Sequence, residues 1–333
     1  MNLCEMFLER EKTTLSKYAF LTANTRGRDY PYEPCEMRTE FQRDRDRITH
    51  SQSFRRLMHK TQVFLAPTGD HYRTRLTHTL EVTQIARIIA RSLHLNEDLA
   101  EAAALGHDLG HTPFGHSGED AMRELFSPDF THYKQSLRVV EKLENNGKGL
   151  NLTWEVRDGI LNHTGSCVAA TLEGVIVKFA DRIAYINHDI DDACRAGILS
   201  PDEIPKELRE ILGESHGERI NTMVSAVIRA STDKNEICME PLYQEATNRL
   251  RDFLFATVYT SPVAKAEEGR AKDMLAQLFE YFVKHPEGMP ELYRRNAEEE
   301  GVARCVCDFI SGMTDRYAIE TYTKLFIPHV WNQ

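Results

Sequence analysis

Four side chains of this 333-residue chain are of the types that hold a divalent cation: His78, the adjacent pair His107-Asp108, and Asp181. Two imidazoles and two carboxylates with no thiolate suit Mn, Mg, Fe, Co or Ni better than structural zinc. Taken singly, an inward histidine is most often a hydrogen-bonded core residue, and an aspartate a helix cap. The adjacency of His107 and Asp108, and the dense polar segment after them, shifts that balance. His107, His111 and His116 fall within ten residues, on a stretch broken by Gly110, Pro113 and Gly115. Such a stretch packs poorly as core and presents side chains to a ligand. His111 and His116 can donate to phosphate or move protons near neutral pH. Glu119, three residues after His116, can orient that ring or accept its proton. The plainer alternative is a histidine-rich surface loop.

The elements that must position these groups read as helices. Val82, Ile85, Ala86, Ile89 and Leu93 form one apolar stripe over 80–93, and His78 extends it backwards at helical spacing. Asn96 is placed to cap a helix running into His107-Asp108. The Ser117-x-x-Asp120 spacing suggests another helix start. Later helices are expected at about 133–144, 172–194, 217–230, 241–255, 267–284 and 297–311. On the second of these, Asp181, Tyr185 and Asp189 recur every fourth residue, so one face carries two carboxylates and a phenol. A carboxylate on an inward face is costly unless it is paired or ligates a cation. No alternating hairpin pattern appears, so the fold class is all-α. Residues before about Phe41 read as an irregular arm, and 197–205 is the best place for a division. The expected organisation is an arm over 1–40, a catalytic core over 41–200 and a C-terminal helical region over 201–333.

The bulk numbers bound the function. No apolar run approaches the roughly 18–20 residues that cross a bilayer, and the N-terminus lacks a signal-peptide core, so no membrane partner and a cytoplasmic location are the default expectations. Seven scattered cysteines without a CxxC pair argue against a zinc ribbon or a disulfide framework, and read as reduced, mostly buried thiols. A net charge of −10 disfavours wrapping by a long polyanion. Arg43, Arg45, Arg47, Arg55, Arg56 and Lys60 nevertheless cluster, with Arg73, Arg75, Arg87 and Arg91 soon after. The cluster suits a small phosphorylated ligand, or equally a salt-bridged helical face with Asp44 and Asp46 interleaved.

The spaced H…HD…D pattern resembles the HD superfamily of metal-dependent phosphohydrolases. The stretches RDRDRITHSQSFRRLMHKTQVF (43–64), RTRLTHTLEVTQIAR (73–87), HDLGHTPFGHSGE (107–119), KFADRIAYINHDIDDACRAG (178–197) and DFISGMTDRYAIETY (308–322) resemble the deoxyguanosine triphosphate triphosphohydrolase family in particular. The resemblance implies an HD-domain helical fold with additional C-terminal helices, and hydrolysis of a dNTP, dGTP among them, to deoxynucleoside and inorganic triphosphate. By the same resemblance, His78, His107, Asp108 and Asp181 would hold the metal, and Arg75 would clamp the phosphates. His116 would be the catalytic histidine with Glu119 as its partner, and His111 a phosphate contact. Gln62 and Asp189 would bind the sugar 3′-hydroxyl, and Tyr185 would fill the space of a 2′-hydroxyl. His132 matches a further catalytic histidine of some relatives, although Thr131 and Tyr133 beside it depart from their pattern. Lys178 could reach a phosphate or stand in solvent. The family also implies a homo-oligomer, nucleotide activators at subunit contacts and, in some members, binding of single-stranded nucleic acid. The alternative reading keeps the metal site but makes the chain another HD-type enzyme, such as a nucleotidase or phosphodiesterase.

Overall fold

In a computed structural model, which describes residues 2–62, 72–260 and 262–328, the chain is helical, with no strand among the described residues. Val63 and Phe64, the end of one matched stretch, lie outside the described residues, as do the outermost residues of the expected arm and C-terminal region. An isolated antiparallel bridge joins Thr61 to Thr74.

Helices α1 (Leu3–Thr14), α2 (Glu40–Thr49) and α3 (Gln52–Arg56) precede the histidine-bearing segments. Then come α4 (Arg75–Ser92), α5 (Glu97–Gly106), α6 (Gly115–Leu125), α7 (His132–Arg138), the short turn α8 (Glu144–Gly147), α9 (Trp154–Leu161) and the long α10 (Leu172–Arg195). The remainder comprises α11 (Lys206–Leu212), α12 (His216–Ser231), α13 (Pro241–Thr257), α14 (Pro262–Lys284), α15 (Glu291–Glu300), α16 (Val302–Ser311) and α17 (Asp315–Phe326).

Local sequence sets the boundaries. Thr74 caps α4 by accepting from the Thr77 amide, and Asn96 caps α5 through the Leu99 amide. Helix α4 therefore starts one turn earlier than its apolar stripe suggests, which brings Arg75 and His78 onto it. Helix α6 begins at Gly115 after Phe114 in the left-handed region (φ 61°), two residues before the expected start at Ser117. The arm is not wholly irregular: an Asn2–Glu5 capping box opens α1. The helix expected over 297–311 is two, because Gly301 sits at φ 85° between α15 and α16. The cysteines are free, but only Cys305 and Cys307 are buried; the others are partly or fully exposed, contrary to the expectation of mostly buried thiols.

The apolar core falls into three clusters. The largest joins Ile85 and Ile89 of α4, Ala100 and Ala104 of α5, and Ile183 and Ile186 of α10 to Met223 of α12 and Leu250 of α13. Alanines on α5 let the backbones of α4 and α10 approach closely. A second cluster packs Phe41 and Ile48 of α2 against Leu99 of α5 and Ile160 of α9. The third joins Met122 of α6 to Leu275 of α14 and Ile310 of α16. The segment 107–115 contributes Leu109 to the second cluster and Phe114 to the third.

Candidate active site

That position buries the loop. Every residue from His107 to Gly115 is buried, with His111 2% exposed and Thr112 fully enclosed. The expectation that it packs poorly as core is therefore corrected, and the surface-loop alternative fails with it. The glycines explain how. A Cβ on Gly110 would stand 2.1 Å from the Ser136 amide nitrogen, so α7 packs directly on the loop backbone. One on Gly115, at φ 58°, would stand 2.9 Å from the Gln62 carbonyl oxygen and 3.1 Å from Arg75 Nη2.

His107 ends α5, and its Nδ1 lies 2.6 Å from the Ala104 carbonyl oxygen. A carbonyl only accepts, so Nδ1 carries the proton and Nε2 presents a bare lone pair. That Nε2 is buried and has no hydrogen-bond partner, 3.6 Å from Asp108 Oδ1 and 3.9 Å from Asp181 Oδ1. Asp181 Oδ1 lies 3.1 Å from His78 Nε2. Ligating atoms of His78, His107 and Asp108 all lie within 4.8 Å of one another. A buried, unpartnered imidazole nitrogen facing two carboxylates fits a shared divalent cation. For Asp181 burial acts upward, but the His78 hydrogen bond and the charges around it outweigh burial and hold its carboxyl at about 2. Asp108 is likewise held well below the usual range, burial being outweighed by His107 and Arg75. Both are held in the ionised form, the form in which a carboxylate can ligate a cation.

On the other side of Asp108 the surroundings turn cationic. Arg75 Nη1 donates to Asp108 Oδ2 at 2.7 Å, while its buried Nε has no partner. His111 stacks on His132 with centroids 4.7 Å apart, and His111 Nδ1 is also buried and unpartnered. Burial holds His111 well below its ordinary pKa. Unused donors beside a guanidinium favour an anion here. Glu119, buried on α6, is shared: its Oε2 lies 3.3 Å from His116 Nδ1 and 3.0 Å from His132 Nδ1. Its Oε1 accepts from the His132 amide and from Arg123. For Glu119 burial acts upward but the hydrogen bonds from both histidines win, so it stays ionised. His116 is the exposed member, its side chain 81% accessible.

Along α10, Asp181, Tyr185 and Asp189 lie on one face. Burial pushes the Tyr185 phenol up to about 12 and the Asp189 carboxyl up to about 7. Tyr259, just past α13, donates to Asp189 Oδ2. Gln62 meets the cluster through its backbone at Gly115. Lys178 is spent on the Gly165 carbonyl, 2.7 Å away.

The arginine run is largely structural. Arg43 pairs with Glu40, Arg45 with Asp46, and Arg47 donates to the Leu150 and Asn151 carbonyls. Arg87 and Arg91 pair with Glu97. This matches the salt-bridged face; of the ten basic residues, Arg75 is the one paired to a candidate ligand carboxylate. Lys60 is buried and donates to the His111 and Ser311 carbonyls, tying the loop to α16.

Several neighbours carry no signal in the sequence. His163 packs 5.0 Å from the His107 ring, its Nδ1 on the Ile160 carbonyl. His188 lies against His78, and Glu81 against His188. Tyr259, Lys60 and Asp315 come from far along the chain. None has a telling spacing; Lys60, Glu81, His188 and Asp315 fall inside the stretches that resemble the family, which is the available hint, and His163 and Tyr259 fall outside them.

Comparison with known proteins identifies the family. Residues 75–186 match the HD domain family, and 237–324 the phosphohydrolase-associated domain. The chain is 57% identical to a deoxyguanosinetriphosphate triphosphohydrolase-like protein of Caldanaerobacter subterraneus subsp. tengcongensis, over 99% of this chain and 98% of that one. It is 49% identical to a protein of the same name from Clostridium perfringens, over 98% of each. A phosphohydrolase structure from Bacteroides thetaiotaomicron shares the fold, with a TM-score of 0.54 at 18% identity over 84% of this chain and 67% of that one. Identity of this degree from end to end, with both family segments in place, makes the chain a member of the deoxyguanosinetriphosphate triphosphohydrolase-like family of HD-domain phosphohydrolases.

Proposed function

We propose that the chain hydrolyses deoxynucleoside triphosphates at the α-phosphorus, releasing deoxynucleoside and inorganic triphosphate. The observation that carries the reading is one carboxylate, Asp108, standing between two unlike environments. On one side is the His78–His107–Asp181 group with its bare imidazole lone pair, and on the other the Arg75–His111 anion pocket beside the His116–Glu119 pair. A divalent ion held by His78, His107, Asp108 and Asp181 would polarise a phosphate oxygen and make a water more acidic.

The remaining chemistry falls to the side chains. Arg75, with its Nε free, binds the phosphates and offsets charge that spreads over their oxygens. His111 donates to the same group. In the reaction the water oxygen bonds to the α-phosphorus and the bond from phosphorus to the 5′-oxygen breaks. His116 gives the leaving 5′-oxygen its proton, and ionised Glu119 orients the imidazole. His132, on the same carboxylate, keeps Glu119 in place. Asp189 and Gln62 receive the 3′-hydroxyl, and Tyr185 stands where a ribose 2′-hydroxyl would project, so a ribonucleotide is rejected by sterics.

Turnover of dGTP with Mn²⁺ in ¹⁸O-labelled water tests the bond cleaved. The expected result is one ¹⁸O in inorganic triphosphate and none in deoxyguanosine. Label in the nucleoside 5′-hydroxyl would contradict attack at phosphorus. Release of pyrophosphate or orthophosphate would favour the second reading, another HD-type phosphohydrolase.

A further inference from the structure

His188 is 2% exposed, adjoins Asp189 on α10, and has no part in the chemistry above. Its Nδ1 lies 3.4 Å from His78 Nδ1, with the two rings perpendicular at 89°. Its other nitrogen, Nε2, lies 3.1 Å from Glu81 Oε2 but out of line for a hydrogen bond, so it is a buried nitrogen with a carboxylate beside it and no bonded partner. Glu81 stands three residues after His78 on α4, and Arg73 approaches both of its oxygens at 3.3–3.4 Å.

Once a cation takes the place of the His78–Asp181 hydrogen bond, the proton directions along this row follow. To ligate a cation beside Asp181, His78 must offer Nε2 as a bare lone pair. A neutral imidazole has one N–H, so that proton sits on Nδ1 and needs an acceptor. The acceptor in reach is His188 Nδ1, which must itself be bare. His188 then carries its proton on Nε2, where a carboxylate, Glu81, can receive it. Each nitrogen and oxygen in the row Glu81–His188–His78 has one consistent role. The other imidazole of the set, His107, has its outer nitrogen fixed on the Ala104 carbonyl. Both histidines are thus held from behind, one by backbone and one by a second histidine.

We propose that His188, backed by Glu81, is the positioning residue that sets the tautomer and aim of His78 and thereby the affinity of the site for its divalent ion. Outer partners of metal-bound imidazoles characteristically do this. The row runs from α4 to α10 and back, so it also fixes the separation of the two helices that supply His78 and Asp181. The inference rests on the assignment of the four ligands, and it is independent of which nucleotide is cleaved.

The test is Mn²⁺ affinity of the full chain without nucleotide, measured by calorimetry and by competition with a fluorescent chelator. Three substitutions are compared: His188→Phe, His188→Asn and Glu81→Gln. Circular dichroism and melting in chelator check their fold. His188→Phe removes the acceptor and should weaken Mn²⁺ binding by roughly 10–100-fold. His188→Asn returns an acceptor oxygen near the Nδ1 position and should recover most of that loss. Glu81→Gln, at a half-exposed surface site, should fold normally and give a smaller loss in the same direction. Wild-type affinity in His188→Phe would overturn the inference. So would Asn and Phe variants equally weak with wild-type melting, which would mark His188 as packing only. If His188→Phe does not fold, Glu81→Leu takes its place: weakened Mn²⁺ binding there supports the row, and wild-type affinity overturns it. Failure of the wild-type chain to bind Mn²⁺ would instead remove the four-ligand assignment itself.

Discussion

Asp108 faces the bare nitrogen of His107 on one oxygen and accepts from Arg75 on the other, so its removal touches both halves of the site. Asp108→Ala should abolish Mn²⁺ binding and lower turnover about a thousandfold, the equivalent of about 4 kcal/mol. Near-normal turnover by a folded variant would remove Asp108 from the site. Tyr185→Ala should narrow the preference for dGTP over GTP by roughly 10–200-fold, the range one shape contact supplies. Competition assays with both nucleotides check this, and unchanged discrimination would contradict the sugar contact. At this scale the sequence was most informative where residues repeat a pattern. Asp181, Tyr185 and Asp189 share a helix face by spacing alone, and His107-Asp108 are neighbours. His163, His188 and Tyr259 carry no pattern, because their proximity is made by packing between α9, α10 and α13.

At the scale of elements, the loop 107–115 is held by groups from the far end of the chain. Asp315, which opens α17, accepts from the Thr61 amide and hydroxyl and from the Phe114 amide. Asp315→Ala leaves buried donors unpaired at about 1–3 kcal/mol each. It should lower the urea midpoint and the turnover number while leaving Mn²⁺ affinity nearly unchanged. A second buried carboxylate, Glu173 on α10, accepts from the Phe20 and Asn96 amides and so ties the N-terminal segment to the cap of α5. Burial pushes Glu173 up to about 7 from 4.5, with its second oxygen unpartnered. The folded state therefore binds this proton more tightly than the unfolded chain. Its stabilising contribution is full below about pH 4.5 and declines as pH rises through 7. Glu173→Gln should flatten the loss of melting temperature between about pH 5 and pH 7, and an unchanged pH slope would contradict the assignment. The long helices were legible from apolar periodicity, while their ends were not. Helix α4 begins a turn before its stripe because Thr74 caps it, and Gly301 splits α15 from α16 where the polar NAEEE stretch gives way to the apolar VARCVCDFI stretch. Helix α1 buries none of its residues, so it leaves no apolar stripe to read.

Across the whole molecule, the glycine- and histidine-rich segment is anchored by Leu109 in one apolar cluster and Phe114 in another, which explains why it is buried rather than displayed. Sequence composition favours loops for such a segment; only the glycine contacts with α7 and Gln62 reveal how it fits. The same assembly brings Lys60 to the Ser311 carbonyl, so the phosphohydrolase-associated region and the HD region stabilise one loop between them. No helix among the described residues is long and apolar enough to cross a membrane.

Cleavage at the α-phosphorus of a deoxynucleotide is decided by product analysis of the purified chain with Mn²⁺ and each dNTP, alone and mixed, alongside GTP, resolved by ion exchange. Equal amounts of deoxynucleoside and intact triphosphate are expected, with GTP much slower. Deoxynucleoside mono- or diphosphate, with pyrophosphate or orthophosphate, would contradict that cleavage.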